Sequence, residues 1–247
     1  MKERINNLRR IKIVRRLYSC LEPLFGIING NISTGISLRR KFLKHISPDC
    51  IFDIGANIGQ FVADARCSNT EVEIFSFEPV PEAYLNLVKL ESKYRNFHAL
   101  ELGIGVPGFR TLRIASNNSM SSSVYEPVKH LDLTKKVVFR NRITAEFIDL
   151  QAAINTYAPN RSSILLKIDV QGAELEVLEK FHEVSMKVSG VIVEASFTDL
   201  YSSGITFNSV IRILASNGFQ VLYIDNQGRN KNAFGMHYCD IYAAKVR

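Results

Sequence analysis

The sequence predicts an α/β domain built on a mostly parallel, doubly wound sheet with helices on both faces. From Cys50 onward short apolar runs alternate with segments of helical period, as expected when crossover helices return each strand to one sheet. The first apolar run ends in a glycine turn that opens a helix, and acidic residues stand at the ends of later runs. In such sheets ligands sit beyond the carboxyl ends of the strands, where the strand order reverses.

In the first 25 residues Ile5, Leu8, Ile11, Val14, Leu17, Tyr18 and Leu21 recur at steps of mostly three or four, interleaved with Arg4, Arg9, Arg10, Lys12, Arg15 and Arg16. That spacing predicts an amphipathic basic helix, closed by Pro23 and Gly26. Its apolar stripe suits packing on the protein's own body or self-association with a second copy; its basic face suits peripheral contact with an anionic membrane or an acidic partner. A second helical pattern carries Leu38, Phe42, Leu43 and Ile46 and ends at Ser47-Pro48. The expected organisation is a basic N-terminal helical arm, 1–47, followed by one catalytic domain, 48–247. Within that domain strands are expected at 50–54, 72–77, 97–102, 163–168, 190–194, 219–224 and 240–244, and helices at 59–66, 82–92, 173–181 and 207–216. Residues 104–150 break the alternation with a strand-like run at 109–115, a Ser/Asn-rich stretch and a poorly periodic 124–142, so they read as an insertion over the crevice.

With 247 residues, 46% hydrophobic and 22% charged, the chain has an ordinary globular composition and is long enough to bury a full core. No apolar run approaches the roughly 20 residues needed to span a bilayer, and the charged start lacks the apolar core of a secretory signal. The expected location is cytoplasmic, with attachment to the inner face of the membrane through the arm as the variant. The cysteines at 20, 50, 67 and 239 form no CxxC pair, and the five histidines make no cluster, so no metal or disulfide framework is expected. The net charge of +7 divides unevenly, because residues 1–50 hold 11 Lys/Arg against 3 Asp/Glu while the remainder holds 20 against 21. A charge-balanced body argues against a nucleic-acid partner.

The most informative segment is Asp53-Ile54-Gly55-Ala56-Asn57-Ile58-Gly59. Its glycines allow a tight turn and close approach of a ligand to the backbone, and the helix behind offers free amides. The GxxxG spacing is neither the GxGxxG of a pyrophosphate cradle nor a P-loop. Glu78 ends the second strand about 20 residues beyond the turn, where a carboxylate accepts hydrogen bonds from a ribose diol. Asp169 leaves the fourth strand toward the same mouth, followed by Glu174 on the first turn of a helix, and Glu194 ends the fifth strand. Converging acids suit a cationic ligand such as a sulfonium, although Glu174 also suits the helix N-terminus itself. These residues alone leave NAD and S-adenosylmethionine both open.

The blocks Phe52 to Gly59, Phe77-Glu78-Pro79-Val80-Pro81, Ser121-Ser122-Ser123, Leu166 to Glu174, and Val193-Glu194 followed by Leu200-Tyr201 together resemble the FkbM family of S-adenosylmethionine-dependent methyltransferases. The resemblance implies the class I methyltransferase fold, a Rossmann-like seven-stranded sheet with its last strand antiparallel, and methyl transfer to a hydroxyl of a carbohydrate, glycoconjugate or secondary metabolite. It implies that Asp53, Gly55, Ala56, Asn57 and Gly59 surround the methionine part of the cofactor, that Glu78 holds the ribose, that the segment 100–103 with Leu102 lies against adenine, and that Asp169 faces the methyl group and the acceptor. The family's Leu-Asp pair before the fourth strand has only the imperfect match Phe147-Ile148-Asp149, and the arm lies outside the resemblance.

Methyl transfer to oxygen needs in-line alignment and removal of the hydroxyl proton. The candidate bases are Asp169, Glu174, Glu194 and, from the insertion, His130; Asp169 is preferred because a strand end fixes it. Lys167, two residues earlier and on the same face, is expected to hold that carboxylate ionised. Ser122 and its neighbours, with Asn117 and Asn118, read as contacts to the cofactor carboxylate or to a polyhydroxylated acceptor, or as a solvated loop. Tyr201 reads equally as a sugar-stacking aromatic or a core residue. The competing functions are an NAD-dependent sugar oxidoreductase, opposed by the missing GxGxxG and Tyr-x-x-x-Lys, and a non-enzymatic binding module with a basic arm.

Overall fold

The computed structural model describes residues 35–68, 71–115, 122–125, 139–197, 207–225 and 238–246. The first helix among the described residues, α1 (Gly35–Ile46), leads into β1 (Cys50–Ile54), α2 (Gln60–Ser68), β2 (Glu73–Phe77), α3 (Pro81–Glu91) and β3 (Phe97–Leu100). Three strands follow, β4 (Gly103–Ile104), β5 (Gly108–Ala115) and β6 (Phe139–Ile148), then α4 (Leu150–Tyr157) and β7 (Ile164–Ile168). The chain closes with α5 (Glu174–Glu179), α6 (Phe181–Val184), β8 (Val188–Ser196), α7 (Phe207–Ser216), β9 (Phe219–Asp225) and β10 (Tyr238–Lys245).

The main sheet has seven strands in the order β3-β2-β1-β7-β8-β10-β9. Pairings along β3-β2-β1-β7-β8 are parallel, whereas β10 runs antiparallel to both of its neighbours. Seven strands with the last one antiparallel are what the resemblance implies. The chain builds outward from β1 through β2 to β3 and then returns to the other side of β1 as β7. Strand order therefore reverses between β1 and β7, and the crevice opens at their carboxyl ends.

Central strands are buried on both faces, so β1 reads CIFDI without polar alternation and every residue in it is buried. Period two sends Phe52, Ile54, Phe75, Phe77, Leu166 and Ile168 into one core against α4 to α7. Ile51, Ile74, Leu165, Ile192 and Tyr242 face the other, against α1, α2 and α3. Asp53 and Lys167 share this second face with Ile51 and Leu165, which is how two charged side chains come to stand beneath the crevice.

The expected strand and helix positions are found with shifts at their ends. Strands β4 and β6 and helix α4 are additional to the expected elements. Strand β6 begins in the poorly periodic stretch and continues through an alternating run, with Arg142, Thr144 and Glu146 exposed and Ile143, Ala145 and Phe147 turned inward. It pairs antiparallel with β5 and parallel with β4 as a separate three-stranded sheet. Helix α4 starts at an N-cap, Asp149, whose side chain accepts from Ala152 N at 2.7 Å. The expected helix at 173–181 is found as α5, and α6 continues beyond it from Phe181 to Val184.

Helix α1 carries Leu38, Phe42, Leu43 and Ile46 into the core, so this part of the expected arm is packed on the sheet. Phe42 meets Tyr242 edge-on at 5.3 Å between centroids. On its polar side Arg39 pairs with Asp64 of α2 at 2.9 Å and Asp240 of β10 at 3.7 Å. The basic stretch 1–25, with its expected self-association or membrane contact, lies outside the described residues. Among the described residues no helix is long and apolar enough to cross a membrane.

Because Phe42 is buried in a shared core, Phe42→Ala in the full-length protein is expected to cost about 3–5 kcal/mol in urea-induced unfolding. A loss below about 1 kcal/mol would show that α1 is a detachable arm.

Candidate active site

The crevice floor is backbone. Gly55 N and Ala56 N both donate to Phe77 O at 3.0 Å, and Asp169 N donates to Ile54 O at 3.0 Å, so the ends of β1, β2 and β7 are stitched into one surface. Gly55 has φ +76°, and a Cβ there would collide with Asp169 O; only glycine lets the turn pass under β7. Asn57 takes φ +50° and its Oδ1 accepts from Ile58 N at 2.8 Å, a local bond that makes the left-handed conformation tolerable for Asn. Gly59, at φ +84°, faces α3, where a Cβ would come 2.5 Å from Leu90 Cδ1. The turn is thus clamped between β7 on one side and α3 on the other.

Glu78 follows β2 and is only 6% exposed. Its Oε2 accepts from Asn57 N at 2.8 Å and its Oε1 from Val80 N at 2.9 Å. Burial pushes its carboxyl up to about 7, against the two backbone N–H groups and Lys167. Each oxygen retains a lone pair beyond these two bonds. Glu78 N donates to Leu100 O at 3.0 Å, which brings Leu100 and the half-buried Leu102 alongside.

Lys167 is the hub beneath the crevice. Its Nζ donates to Gly55 O at 3.0 Å and stands 3.3 Å from Asp53 Oδ1 and 3.6 Å from Asp169 Oδ2. Burial alone would lower its pKa, but the Asp53 and Asp169 carboxylates outweigh it and leave the ammonium above its ordinary value. Asp53 is fully buried; burial lifts its carboxyl and Lys167 opposes the lift. Ser76 Oγ donates to Asp53 Oδ2 at 3.3 Å, while Oδ1 faces the ammonium without hydrogen-bond geometry. This pair supports the turn from below, with Asp53 itself sealed from the crevice.

Asp169, whose side chain is 39% exposed, is the carboxylate open to the mouth. Glu174 is turned inward: Oε1 accepts from Val170 N at 3.1 Å and Gly172 N at 3.2 Å, and Oε2 from Gly172 N at 3.1 Å. It caps the 170–172 turn, and burial pushes it up to about 7. Glu194 and Asp240 are cross-strand partners on β8 and β10. Burial and the neighbouring Asp169, Glu174 and Asp240 raise Glu194 well above its ordinary value, and burial brings Asp240 to about 6 despite Arg39.

The insertion is fastened over this turn. Ser123 Oγ donates to Gln171 O at 2.6 Å and accepts from Tyr125 N at 3.0 Å. Arg110 of β5 grips Glu176 of α5 through both nitrogens, the NH2–Oε1 bond being 3.0 Å, and Tyr125 OH donates to the same carboxylate. Ser122 is half-buried beside Ser123. His130, Ser121, Asn117, Asn118 and Tyr201 lie outside the described residues.

Gly55, Ala56, Asn57, Gly59, Glu78, Lys167 and Asp169 are thus tied together at the ends of β1, β2 and β7, with Asp53 sealed beneath them, while Leu102 packs against the core on the side of α4 to α7. Gln171, Asp240, Arg110, Tyr125 and Glu176 join them without a sequence pattern that singles them out. Only the antiparallel register puts Asp240 opposite Glu194.

Residues 53–221 match the family model of the methyltransferase FkbM domain. The hexuronic acid methyltransferase AglP of Haloferax volcanii is 27% identical over 147 residues, 59% of this chain and 55% of that protein. The 31-O-demethyl-FK506 methyltransferase FkbM of Streptomyces tacrolimicus is 24% identical over 209 residues, 74% of this chain and 78% of that one. The 2-O-methyltransferase NoeI of Sinorhizobium fredii is 25% identical over 193 residues, 74% of this chain and 79% of that one. The match therefore spans about half the length of AglP and roughly four-fifths of the other two. Among solved structures, the FkbM methyltransferase of Methylobacillus flagellatus superposes with a TM-score of 0.48 at 13% identity, over 79% of this chain and 43% of that one.

Glu78 and Glu174 titrate near 7 in the fold against 4.5 ordinarily. Between those values the folded chain holds protons that the unfolded chain has released, so both groups make stability fall as pH rises from 4.5 to 7. Glu174→Gln should flatten that fall, by roughly 1–3 kcal/mol between pH 5 and 7, in urea denaturation series. An unchanged slope in the variant would contradict the inward, buried placement of Glu174.

Proposed function

The chain belongs to the FkbM methyltransferase family, and on that premise we propose that residues 48–247 transfer the methyl group of S-adenosylmethionine to a hydroxyl oxygen of a carbohydrate, glycoconjugate or secondary metabolite. The observation that carries the cofactor assignment is Glu78, a nearly buried carboxylate at the end of β2, bonded to the amide of Asn57 in the glycine turn. Its buried oxygens and the turn's close backbone approach fit a ribose diol and an amino-acid tail. The acceptor class draws support from the relatives, which are named for hexuronic acid, for the 31-O position of FK506 and for 2-O-methylation.

In this reading the turn from Gly55 to Gly59, with Ala56 and Asn57, holds the methionine part, and Asp53 supports it from below through Lys167. Glu78 accepts the ribose hydroxyls, Leu102 with Leu100 forms an apolar wall for adenine, and Ser122 borders the acceptor side. When bound, the cofactor supplies an electrophilic methyl group on a sulfonium. Asp169 removes the acceptor's hydroxyl proton; it is the carboxylate open to the crevice, whereas Glu174 is occupied by three N–H contacts. The Lys167 ammonium stands 3.6 Å from Asp169 Oδ2 and fixes the position of that carboxylate at the end of β7. Converging carboxylates also favour a cationic ligand over an anionic one.

Calorimetric titration with S-adenosylhomocysteine tests the cofactor assignment. Wild type is expected to bind in the micromolar range and Glu78→Ala about 10-fold or more weaker, with NAD showing no competing affinity. Absent binding by a folded wild type, or tighter binding of NAD, would overturn it.

A further inference from the structure

Asp169 is held by more than Lys167. The side-chain amide of Gln171 donates to Asp169 Oδ1 at 2.7 Å and to Glu194 Oε2 at 3.3 Å, so one nitrogen bridges the carboxylates at the ends of β7 and β8. Two acids on neighbouring strand ends repel each other, and an amide donor shared between them is the simplest group that lets both face one mouth. The reach of this side chain depends on an unusual backbone, because Gln171 sits at φ +53°, where few residues other than Gly, Asn and Asp are found. That conformation is held from three sides. Glu174 accepts the N–H groups of Val170 and Gly172 that flank Gln171, and Gly172 itself takes φ +100°. Ser123 Oγ donates to the Gln171 carbonyl at 2.6 Å, and Ser123 is only 1% exposed. Glu176, gripped by Arg110 and Tyr125, anchors that segment of the insertion to α5.

We propose that Gln171 is a positioning residue, through which the β5–β6 insertion fixes the Asp169 carboxylate against Glu194. This deepens the proposed function and rests on it for the role of Asp169. It also gives the insertion a part in the site, since its contact with the catalytic turn runs from Ser123 through the Gln171 backbone to the amide. The charged and titratable groups around the bridge are Lys167 from β7, Asp53 from β1, Glu174 from α5, and Asp240 and Tyr238 from β10, with Arg39 from α1 and Asp225 from β9 acting on Asp240 behind it. Gln171 differs from all of them in being an uncharged donor that touches both acids.

Glu194 reports on the bridge without any acceptor. Burial and its acidic neighbours already lift it well above an ordinary glutamate, and loss of a donated N–H lifts it further. The experiment is a pH titration of side-chain carboxyl carbons by NMR in the 13C-labelled full-length protein, with the Glu194 signal assigned by its loss in Glu194→Gln. Two variants are compared with wild type: Gln171→Leu, which keeps the bulk without the donor, and Gln171→Asn, which suits a positive φ but is one methylene too short to bridge. Both are expected to raise the Glu194 midpoint by about one pH unit, and Ser123→Ala to raise it in the same direction by less. A midpoint unmoved in both Gln171 variants, or moved in Gln171→Leu alone, would overturn the bridge. Titration of the same wild-type preparation with S-adenosylhomocysteine separates the two readings: failure to bind refutes the methyltransferase site whatever Glu194 does, and binding with an unmoved Glu194 refutes only the role of Gln171.

Discussion

The constraint on which the rest of this structure depends is a buried ion pair at the seam of the sheet. Asp53 and Lys167 are register partners on β1 and β7, the two strands between which the chain reverses its order. Period two aims both into the α1–α2 core, where an isolated charge of either sign costs several kcal/mol. Neither can be buried alone, and a one-residue slip of β7 against β1 would strand both. The pair therefore fixes register as well as neutralising charge. The same ammonium bonds to Gly55 O and lies beside Asp169, so register, glycine turn and open carboxylate are set by one side chain.

From that seam outward the crevice is a gradient of carboxylates. Asp53 is sealed and paired, Glu78 and Glu174 are buried against backbone amides, Asp169 is open, and Glu194 and Asp240 continue the row across β8 and β10. Burial pushes most of these groups upward, and each remains tolerable through a cation or through donated N–H groups. Glu174 illustrates how geometry divides similar residues into different roles. It lies five residues after Asp169 yet serves the turn, while Asp169 serves the mouth.

Much of this is legible in the sequence because the responsible signals are local. A buried parallel strand must be apolar on both faces, so 50–54 and 163–168 announce themselves, and an aspartate or lysine inside them is conspicuous. Gly55, Asn57 and Gly59 mark a turn by residue type, and Glu78 by its distance from that turn. Strand β6 carries a period-two signal, with Ile143, Ala145 and Phe147 less exposed than Arg142, Thr144 and Glu146, but it lies inside a region whose preceding residues have no period and that reads as an insertion. Gln171 and Asp240 are not legible for a different reason: their significance lies in partners on other strands, Glu194 above all, and only the register reveals it. The latch of Arg110 and Tyr125 on Glu176 joins residues 51 to 66 apart, beyond any pattern of spacing. The basic stretch 1–25 and His130 lie outside the described residues, so their roles rest on the sequence alone.

The most direct measurement is a double-mutant cycle on Asp53→Asn and Lys167→Met, read by urea denaturation of the full-length protein. If the pair is the seam that holds β1 to β7, each single change leaves a buried group without its partner and costs about 3–5 kcal/mol. The double variant then costs clearly less than the two together, with a coupling of about 2 kcal/mol or more. Additive losses, with no coupling between the two positions, would contradict the account.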